Sequence, residues 1–432
     1  MPSDPDAAAL SGVRSWRPFL AVEAGTGLSG AANGITIVAL PWLVLERTGS
    51  ATAAGVLAAI TAVPTMIAAL LSGTIVDKAG RRKVSVISDI LSLISVALIP
   101  IVDFAFGLDF GLLAILAVLG AIFDPAGMGA REAMVPEAAE AARLPLAKAN
   151  GIHEAVWGAA YVIGPALGGV LIAVIGAAPT FWITAMMFAA STFAIAIVKI
   201  PGGGKPSTTD EVGFWKSTSE GIVFVWRDRL QRALAILMAA LVAIWLPVEG
   251  VLLPVFYEAQ DAPGRLGLVL MAMSLGMIAG ALAYGWLSVR IGNLRVFWLA
   301  LLFTALGILG LSSLPDLAWM IVLSIVVGIA FGPIQPILNV AMQTRTPSRL
   351  RGRVVGLLTA IQYAAGPIGF LLVGPLVDGV GIEWAFPIIA VAITVICLVP
   401  LVIPRFRELS TLDDTASAPP PLEESQPPRP LS

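Results

Sequence analysis

Twelve stretches of this chain stay apolar for about 20 residues or more, the length a helix needs to cross the hydrocarbon core of a bilayer. Read as runs broken by charge or by Pro/Gly clusters, they cover roughly 18–45, 51–76, 84–103, 109–130, 148–175, 179–199, 231–257, 265–289, 294–314, 317–344, 353–377 and 383–403. In lipid every backbone polar group must be bonded within the segment or to a closed barrel, so runs of this length read as helices. Several exceed the minimum, which tilt accommodates. The expected fold class is an all-α integral membrane protein with twelve transmembrane helices. Composition agrees: 58% of the residues are hydrophobic, 12% are charged and the mean hydropathy is +0.91, which excludes an ordinary soluble globule. The first fifteen residues are polar and lack the apolar core of a signal peptide, so the first run reads as an uncleaved helix.

Other classes fall away quickly. The one cysteine, Cys397, allows neither an internal disulfide nor a cysteine metal cluster, and the one histidine, His153, argues against a transition-metal centre. No metal and no cofactor are expected. Nucleic acid is not an expected partner, because no basic patch with interleaved aromatics exists. Gly202-Gly-Gly-Lys205 is not a phosphate loop, since position 199 is lysine and Pro206 follows.

The charges orient the stack. With twelve crossings both termini share a side, and every one of the 26 lysines and arginines except Arg47 and Arg265 falls on it. The positive-inside rule makes that side the cytoplasm, in a cytoplasmic (inner) membrane. Residues 1–200 and 231–405 form two six-helix halves. Between them, 201–230 begins Pro-Gly-Gly-Gly and continues with Phe214, Trp215, Phe224 and Trp226 among charges, which predicts a linker with an amphipathic helix at the inner interface. Residues 406–432 are Pro/Ser/Glu-rich and read as a disordered cytoplasmic tail.

Between the second and third runs lies Gly73-Thr-Ile-Val-Asp77-Lys78-Ala-Gly80-Arg81-Arg82-Lys83. Gly80 permits a tight reversal. Arg81, Arg82 and Lys83 open the next helix, where cations oppose the macrodipole, so a cytoplasmic loop explains them better than local helix stability. This stretch resembles the signature between the second and third helices of major facilitator transporters. Gly151-x8-Ala160-x3-Gly164-Pro165-x-x-Gly168-Gly169 resembles the fifth-helix antiporter signature of the same superfamily, with Ala160 where glycine is usual. Physically it is a face of small residues with a proline-loosened helix, a packing seam or a kink. Pro41-Trp42, Phe123-Asp124-Pro125-Ala126, Val135-Pro136-Glu137 and Ala149-Asn150 are similar to the macrolide-efflux and enterobactin-exporter branch. The halves also repeat weakly: Gly164-Pro165-x-x-Gly168 returns as Gly366-Pro367-x-Gly369, and Gly73-x3-Asp77-x2-Gly80 as Gly285-x3-Val289-x2-Gly292. The resemblance implies two pseudo-symmetric six-helix bundles and secondary active transport. One departure is that the drug antiporters carry an arginine within the fourth helix, whereas here Arg131 falls at the inner end of run 109–130.

Charged groups within a bilayer are costly and mark function or a structural pair. Glu23, about 9 Å into the first helix at 1.5 Å per residue, is a candidate for binding a proton or a cationic substrate, or else a paired or snorkelling carboxylate. Asp124 either accepts hydrogen bonds beside Pro125 or pairs with Arg131. Asp89 reads as neutralising the basic cluster at 81–83. Glu249, between Pro247 and Pro254, faces the cavity or the outer gate. His153 and Glu154 lie at the inner mouth of helix five. Asn33 and Gln362 are further amides within membrane segments, and Gln335, Asn339 and Gln343 share one face of helix ten at spacing i, i+4, i+8. Trp42, Trp157, Tyr161, Trp245, Tyr257 and Tyr363 are candidates to line an apolar site or to be packing aromatics.

The resemblance also implies an inner gate built from Gly73, Asp77, Lys78, Gly80, Arg81 and Arg82. In it Asp77 meets the inner end of helix eleven, here flanked by Arg351 and Arg353. The leading expectation is a monomeric exporter of an amphipathic small-molecule substrate, with the proton as coupling ion. A siderophore or metabolite exporter, or a lipid transporter, is the alternative. A membrane-embedded enzyme or a non-transporting sensor would belong to other classes. The paired aspartates Asp4/Asp6 and Asp413/Asp414 lie near the ends of the chain, and no Walker loop exists.

Overall fold

A computed structural model of the protein describes residues 14–198, 223–346 and 351–410. Most of the predicted linker and the tail beyond Ser410 lie outside the described residues. So do the side chains of Asp77, Gln343, Arg351, Arg353 and Tyr363, and the surroundings of Gly73.

Twelve helices are long and apolar enough to cross a membrane. They are α1 (Arg17–Thr48), α2 (Ala51–Ala79), α3 (Arg81–Phe106), α4 (Phe110–Ala141), α5 (Leu146–Ile175), α6 (Ala177–Ala196), α7 (Arg229–Glu258), α8 (Pro263–Ile291), α9 (Asn293–Ser312), α10 (Leu317–Phe331 and Ile334–Arg345), α11 (Arg351–Val380) and α12 (Ile382–Val402). A short 3-10 segment, Pro404–Ser410, follows. Among the described residues there is no strand. Val289, Leu282 and Val174 are 87%, 77% and 75% exposed, an apolar exterior suited to acyl chains rather than water.

One boundary corrects the sequence expectation with a functional consequence. Run 109–130 ends at a charge, but α4 continues through Arg131 to Ala141. Arg131 is only 1% exposed, so its charge is met by protein and does not end the span. It lies about 15 Å from the helix end at 1.5 Å per residue, well inside the bundle. The departure noted in the sequence disappears: this chain does hold an arginine deep in its fourth helix.

The architecture is a four-fold repetition of a three-helix unit. The second and third helices of each unit are joined by one glycine: Gly80, Gly176, Gly292 and Gly381, with φ of 89°, 86°, 84° and 79°. With ψ between 134° and 165° these lie in a backbone region that is essentially closed to residues with a Cβ. Helix pairing repeats as well. In the first half α1 packs on α5, α2 on α4, and α3 on α4 and α6. In the second, α7 packs on α11, α8 on α10, and α9 on α10 and α12. The two most extensive pairings between the halves are α2 with α11 and α5 with α8, and the same pseudo-two-fold exchanges them.

Two spans of the second half are interrupted. α7 passes from α-helix through a π turn, Val248–Leu252, into Leu253–Glu258, with Pro247 and Pro254 on either side. Proline withholds a backbone donor, and π turns concentrate at functional sites. α10 breaks at Gly332-Pro333. The breaks adjoin, because Trp245 of α7 stacks on Phe331 of α10 at 4.6 Å and 14°.

Candidate functional site

Glu23, Asn33, Asp124, Arg131, Glu249, Gln335 and Asn339 fall on the first helix of their three-helix units: α1, α4, α7 and α10. In the first bundle they form a buried chain. The Arg131 guanidinium donates to Asp89 Oδ1 of α3 at 2.9 Å and to Ser29 Oγ of α1 at 2.8 Å. The Ser191 hydroxyl of α6 donates to Asp89 Oδ2 at 2.6 Å and lies 3.1 Å from the Gly25 carbonyl. Both charged side chains are 2% exposed. A charge taken that far from water is tolerable only when paired and hydrogen-bonded, and each of these is. Asp89 therefore does not neutralise the cluster at 81–83. One helical turn and a half of separation turns it away from the loop and into the bundle.

Asp124 stands two turns from Arg131 on α4, and its Oδ1 accepts a 2.7 Å hydrogen bond from the Asn33 amide of α1. Glu23 meets His153, with Nδ1 3.2 and 3.3 Å from its two carboxylate oxygens. The pair locks α1 to α5, and Glu23 is 6% exposed. Trp157 and Tyr161 follow on α5, their rings tilted at 45° and 6.5 Å apart, with Trp157 close against Gly30. Trp42 and Tyr257 are 4% and 2% exposed and belong to the core.

Arg81 and Arg82 serve their own bundle. Arg81 donates to the Ala133 carbonyl at 2.8 Å and pairs with Glu137 of α4. Arg82 donates to the carbonyls of Ile195 and Ala196, at 3.2 and 2.5 Å, which close α6. Last-turn carbonyls lack intrahelical donors and sit at the negative end of the dipole, so they attract cations. These contacts explain why cations tolerate the start of α3: the partner of Arg81 is Glu137 of α4, and that of Arg82 is the end of α6.

In the second bundle a narrow cavity brings together Gln335 and Asn339 of α10 with Gln362 of α11, walled by Leu234, Met238, Leu338 and Ile361. Glu249 stands in the π turn of α7, and its Oε1 accepts from Trp245 Nε1 at 2.8 Å. A larger cavity, about 410 Å³, is lined by Phe256, Tyr257, Arg265 and Asp316, apart from these groups.

The seams between bundles are closest at one end. A methyl at Gly267 of α8 would stand 2.7 Å from the Pro165 carbonyl of α5, and one at Gly169 would meet the Pro263 carbonyl. Further along, Gly158 faces only the Ile278 side chain, and Gly151 and Gly285 face open space. Within the motif of α5, Gly164 and Gly168 instead receive α1, at Gly34 and Ile35. On the other seam, Gly374 of α11 approaches the Ala51 carbonyl and Gly55 of α2 that of Phe370.

At that seam's end stands a residue the sequence reading passed over. Asp378, near the end of α11, accepts hydrogen bonds from Ser50 Oγ at 2.8 Å, Ala51 N at 2.8 Å and Thr52 N at 2.9 Å. It caps the first turn of α2 from the opposite bundle, together with the helix's own Ser50 cap. A signal for it exists. Gly73-x3-Asp77-x2-Gly80 at the end of α2 has a full counterpart, Gly374-x3-Asp378-x2-Gly381, at the end of α11. The glycines recur in all four units, as Gly169/Gly176 and Gly285/Gly292 in the others, while the acid is kept only on α2 and α11.

Twelve apolar helices in two pseudo-symmetric bundles, with paired charges inside, are the architecture of a multi-pass membrane transporter. The family model for the Major Facilitator Superfamily matches residues 23–369 and 250–431, and the chain belongs to that superfamily. Over 408 residues it is 41% identical to the multidrug efflux pump Tap of Mycolicibacterium fortuitum, covering 93% of this chain and 98% of that one. It is 21% identical to macrolide efflux protein A of Streptococcus pyogenes over 92% of this chain and 98% of the relative. The crystal structure of the nucleoside transporter NupG shares the fold, with a TM-score of 0.74 at 11% identity over 91% of this chain and 98% of that one.

Proposed function

We propose that this protein exports amphipathic, drug-like compounds from the cytoplasm across the cytoplasmic membrane, by alternating access coupled to proton entry. The observation that carries the reading is the similarity along nearly the whole chain to a multidrug efflux pump. The interior supports it: apolar walls interrupted by a few amides suit amphipathic compounds and restrict their structure little. The two termini lie in the cytoplasm, and the chain works as a monomer whose only other partner is the bilayer.

The coupling groups in this reading are Glu23 with His153, and Asp124 with Asn33, beside the Asp89–Arg131 pair. Each acidic group exchanges one fixed partner for a proton or a substrate as the bundles move. Trp157, Tyr161, Gln335, Asn339 and Gln362 flank the substrate path.

The mechanical part is a reciprocal latch. α2 and α11 run antiparallel at one seam, and each ends in Gly-x3-Asp-x2-Gly. Asp378 of α11 holds the start of α2, which closes the outer face. By the pseudo-symmetry Asp77 of α2 holds the start of α11 beside Arg351 and Arg353, with Lys78 and Gly80 shaping the turn, when the inner face closes. Gly169 and Gly267 keep α5 and α8 in contact while the bundles rock.

The test is transport in proteoliposomes with an imposed pH gradient and a panel of compounds. Uptake of an amphipathic compound into vesicles with an acidic interior, abolished by a protonophore, is expected. Equal movement with and without the gradient removes proton coupling, and movement of none of the panel removes the drug-export reading.

A further inference from the structure

One cavity plays no part in the transport path. It lies where α7, α8 and α10 end on the face opposite both ends of the described chain, holds about 410 Å³, and is walled by Phe256, Tyr257, Gln260, Arg265 and Asp316. All of its walls belong to the second bundle. Deeper in the membrane α8 and α10 touch backbone to backbone: a methyl at Gly328 or Gly332 of α10 would collide with the Met273 or Met277 carbonyl of α8. The cavity therefore keeps its shape when the bundles rock.

Its polar groups have capacity left over. Arg265 stands in the first turn of α8, and among the described residues its guanidinium forms no hydrogen bond or ion pair. Asp316 caps α10 by accepting from the Trp319 N–H at Oδ1, 3.1 Å away, which leaves Oδ2. Gln260 donates to the Phe256 carbonyl at 3.2 Å, which leaves its own Oε1. Tyr257 is buried, yet its hydroxyl has no hydrogen-bond partner, where buried hydroxyls nearly always have one.

These groups select a ligand by charge. A purely anionic ligand would meet Asp316, with Glu258 and Asp261 in the adjoining turn, and a purely cationic one would meet Arg265. A zwitterion satisfies both. A phosphate suits the guanidinium fork, and a primary ammonium has three donors for Asp316 Oδ2 and Gln260 Oε1. Below the cavity the same helices turn apolar side chains outward. Leu268 and Leu275 of α8 are exposed, as are Trp319, Val322 and Val326 of α10 at i, i+3 and i+7. That stripe suits acyl chains, and Trp319 stands at the level where interfacial tryptophans gather. A soluble zwitterion would leave the stripe unused.

We propose that this cavity binds the headgroup of a phospholipid that carries a phosphate and a primary ammonium, in the leaflet opposite the chain ends. Arg265 and the Tyr257 hydroxyl hold the phosphate, and Asp316 and Gln260 hold the ammonium. The site is one of binding and does not depend on the export reading.

The experiment is native mass spectrometry of the full-length protein in detergent, titrated separately with phosphatidylethanolamine, phosphatidylcholine and phosphatidylglycerol of identical acyl chains. The wild type is expected to bind phosphatidylethanolamine about fivefold more tightly than the other two. Arg265→Gln should weaken that binding about tenfold, while Arg265→Lys, which keeps the charge, retains most of it. Asp316→Asn keeps an acceptor for the helix cap, and it should erase the preference for phosphatidylethanolamine over phosphatidylglycerol. Arg47→Gln, on the same face but paired with Asp103, should change nothing. Equal binding of the three lipids by the wild type, or Arg265→Gln that binds phosphatidylethanolamine normally, overturns the proposal. So does Arg47→Gln that loses as much as Arg265→Gln, which marks a general lipid annulus, or Asp316→Asn that keeps the full preference. Displacement of the lipid by an equal concentration of soluble glycerophosphoethanolamine would assign the cavity to a soluble ligand and overturn the lipid site.

Discussion

Replacing Arg131 by alanine is expected to lower stability by about 3–5 kcal/mol, because it strands Asp89 without its counter-ion in the interior of the first bundle. Asp89 would keep only the Ser191 hydroxyl, and Ser29 would lose its donor. Asp89→Ala is expected to cost a similar amount for the converse reason, leaving a guanidinium with one neutral partner. The double variant Asp89→Leu/Arg131→Met should recover most of the loss, since removing both charges also removes both desolvation penalties. Thermal unfolding of the detergent-solubilised protein reads all three. Transport then separates two roles. A double variant that is stable but inactive marks the pair as part of the coupling path. A double variant that is stable and fully active would mean that the pair only braces α1, α3, α4 and α6.

The second large effect is at the outer seam. Asp378→Ala removes three hydrogen bonds to a carboxylate and the favourable placement of that charge at the start of α2. Charge-assisted bonds are individually substantial, but exposure to solvent discounts them, and a net loss of about 2 kcal/mol is a reasonable scale. If the latch favours the outer-closed state by that amount, its loss shifts the balance between states roughly 30-fold. The fold should survive, because α2 keeps its own Ser50 cap. After replacement of the native Cys397 by serine, a cysteine at Val373, which is 1% exposed in this structure, reports the change. Its alkylation by a membrane-impermeant maleimide should rise sharply with Asp378→Ala and moderately with Asp378→Asn, which keeps an acceptor but not the charge. Unchanged labelling would show that the packing of Gly55 and Gly374 closes the seam unaided.

Much of the fold was legible because the bilayer reduces it to one question, whether a run is apolar and long enough. The reversals were legible too, since Gly80 announces a conformation that other residues resist. The partners of individual charges were not. Ending spans at charges cut α4 short at Arg131 and so hid a buried ion pair, because a one-dimensional run cannot show that Asp89 waits on α3. Arg81 and Arg82 look like gate cations in sequence, where the α4 groups that Arg81 binds and the α6 carbonyls that Arg82 binds are invisible. Glu23 and His153 lie 130 positions apart and only packing of α1 on α5 brings them together. Asp378 is legible in the repeat itself, since the acid of Gly73-x3-Asp77-x2-Gly80 is lost on α8 and kept on α11.

The central claim is that two acids, one at each end of the α2–α11 seam, hold alternate faces shut. Paired spin labels measured by double electron–electron resonance test it most directly, with one pair spanning the outer ends of α2 and α11 and one spanning their inner ends. Asp378→Ala should lengthen the outer distance and shorten the inner one, and Asp77→Ala should do the opposite. Two substitutions that move both distances in the same direction, or that leave the distributions of the wild type in place, would contradict the account.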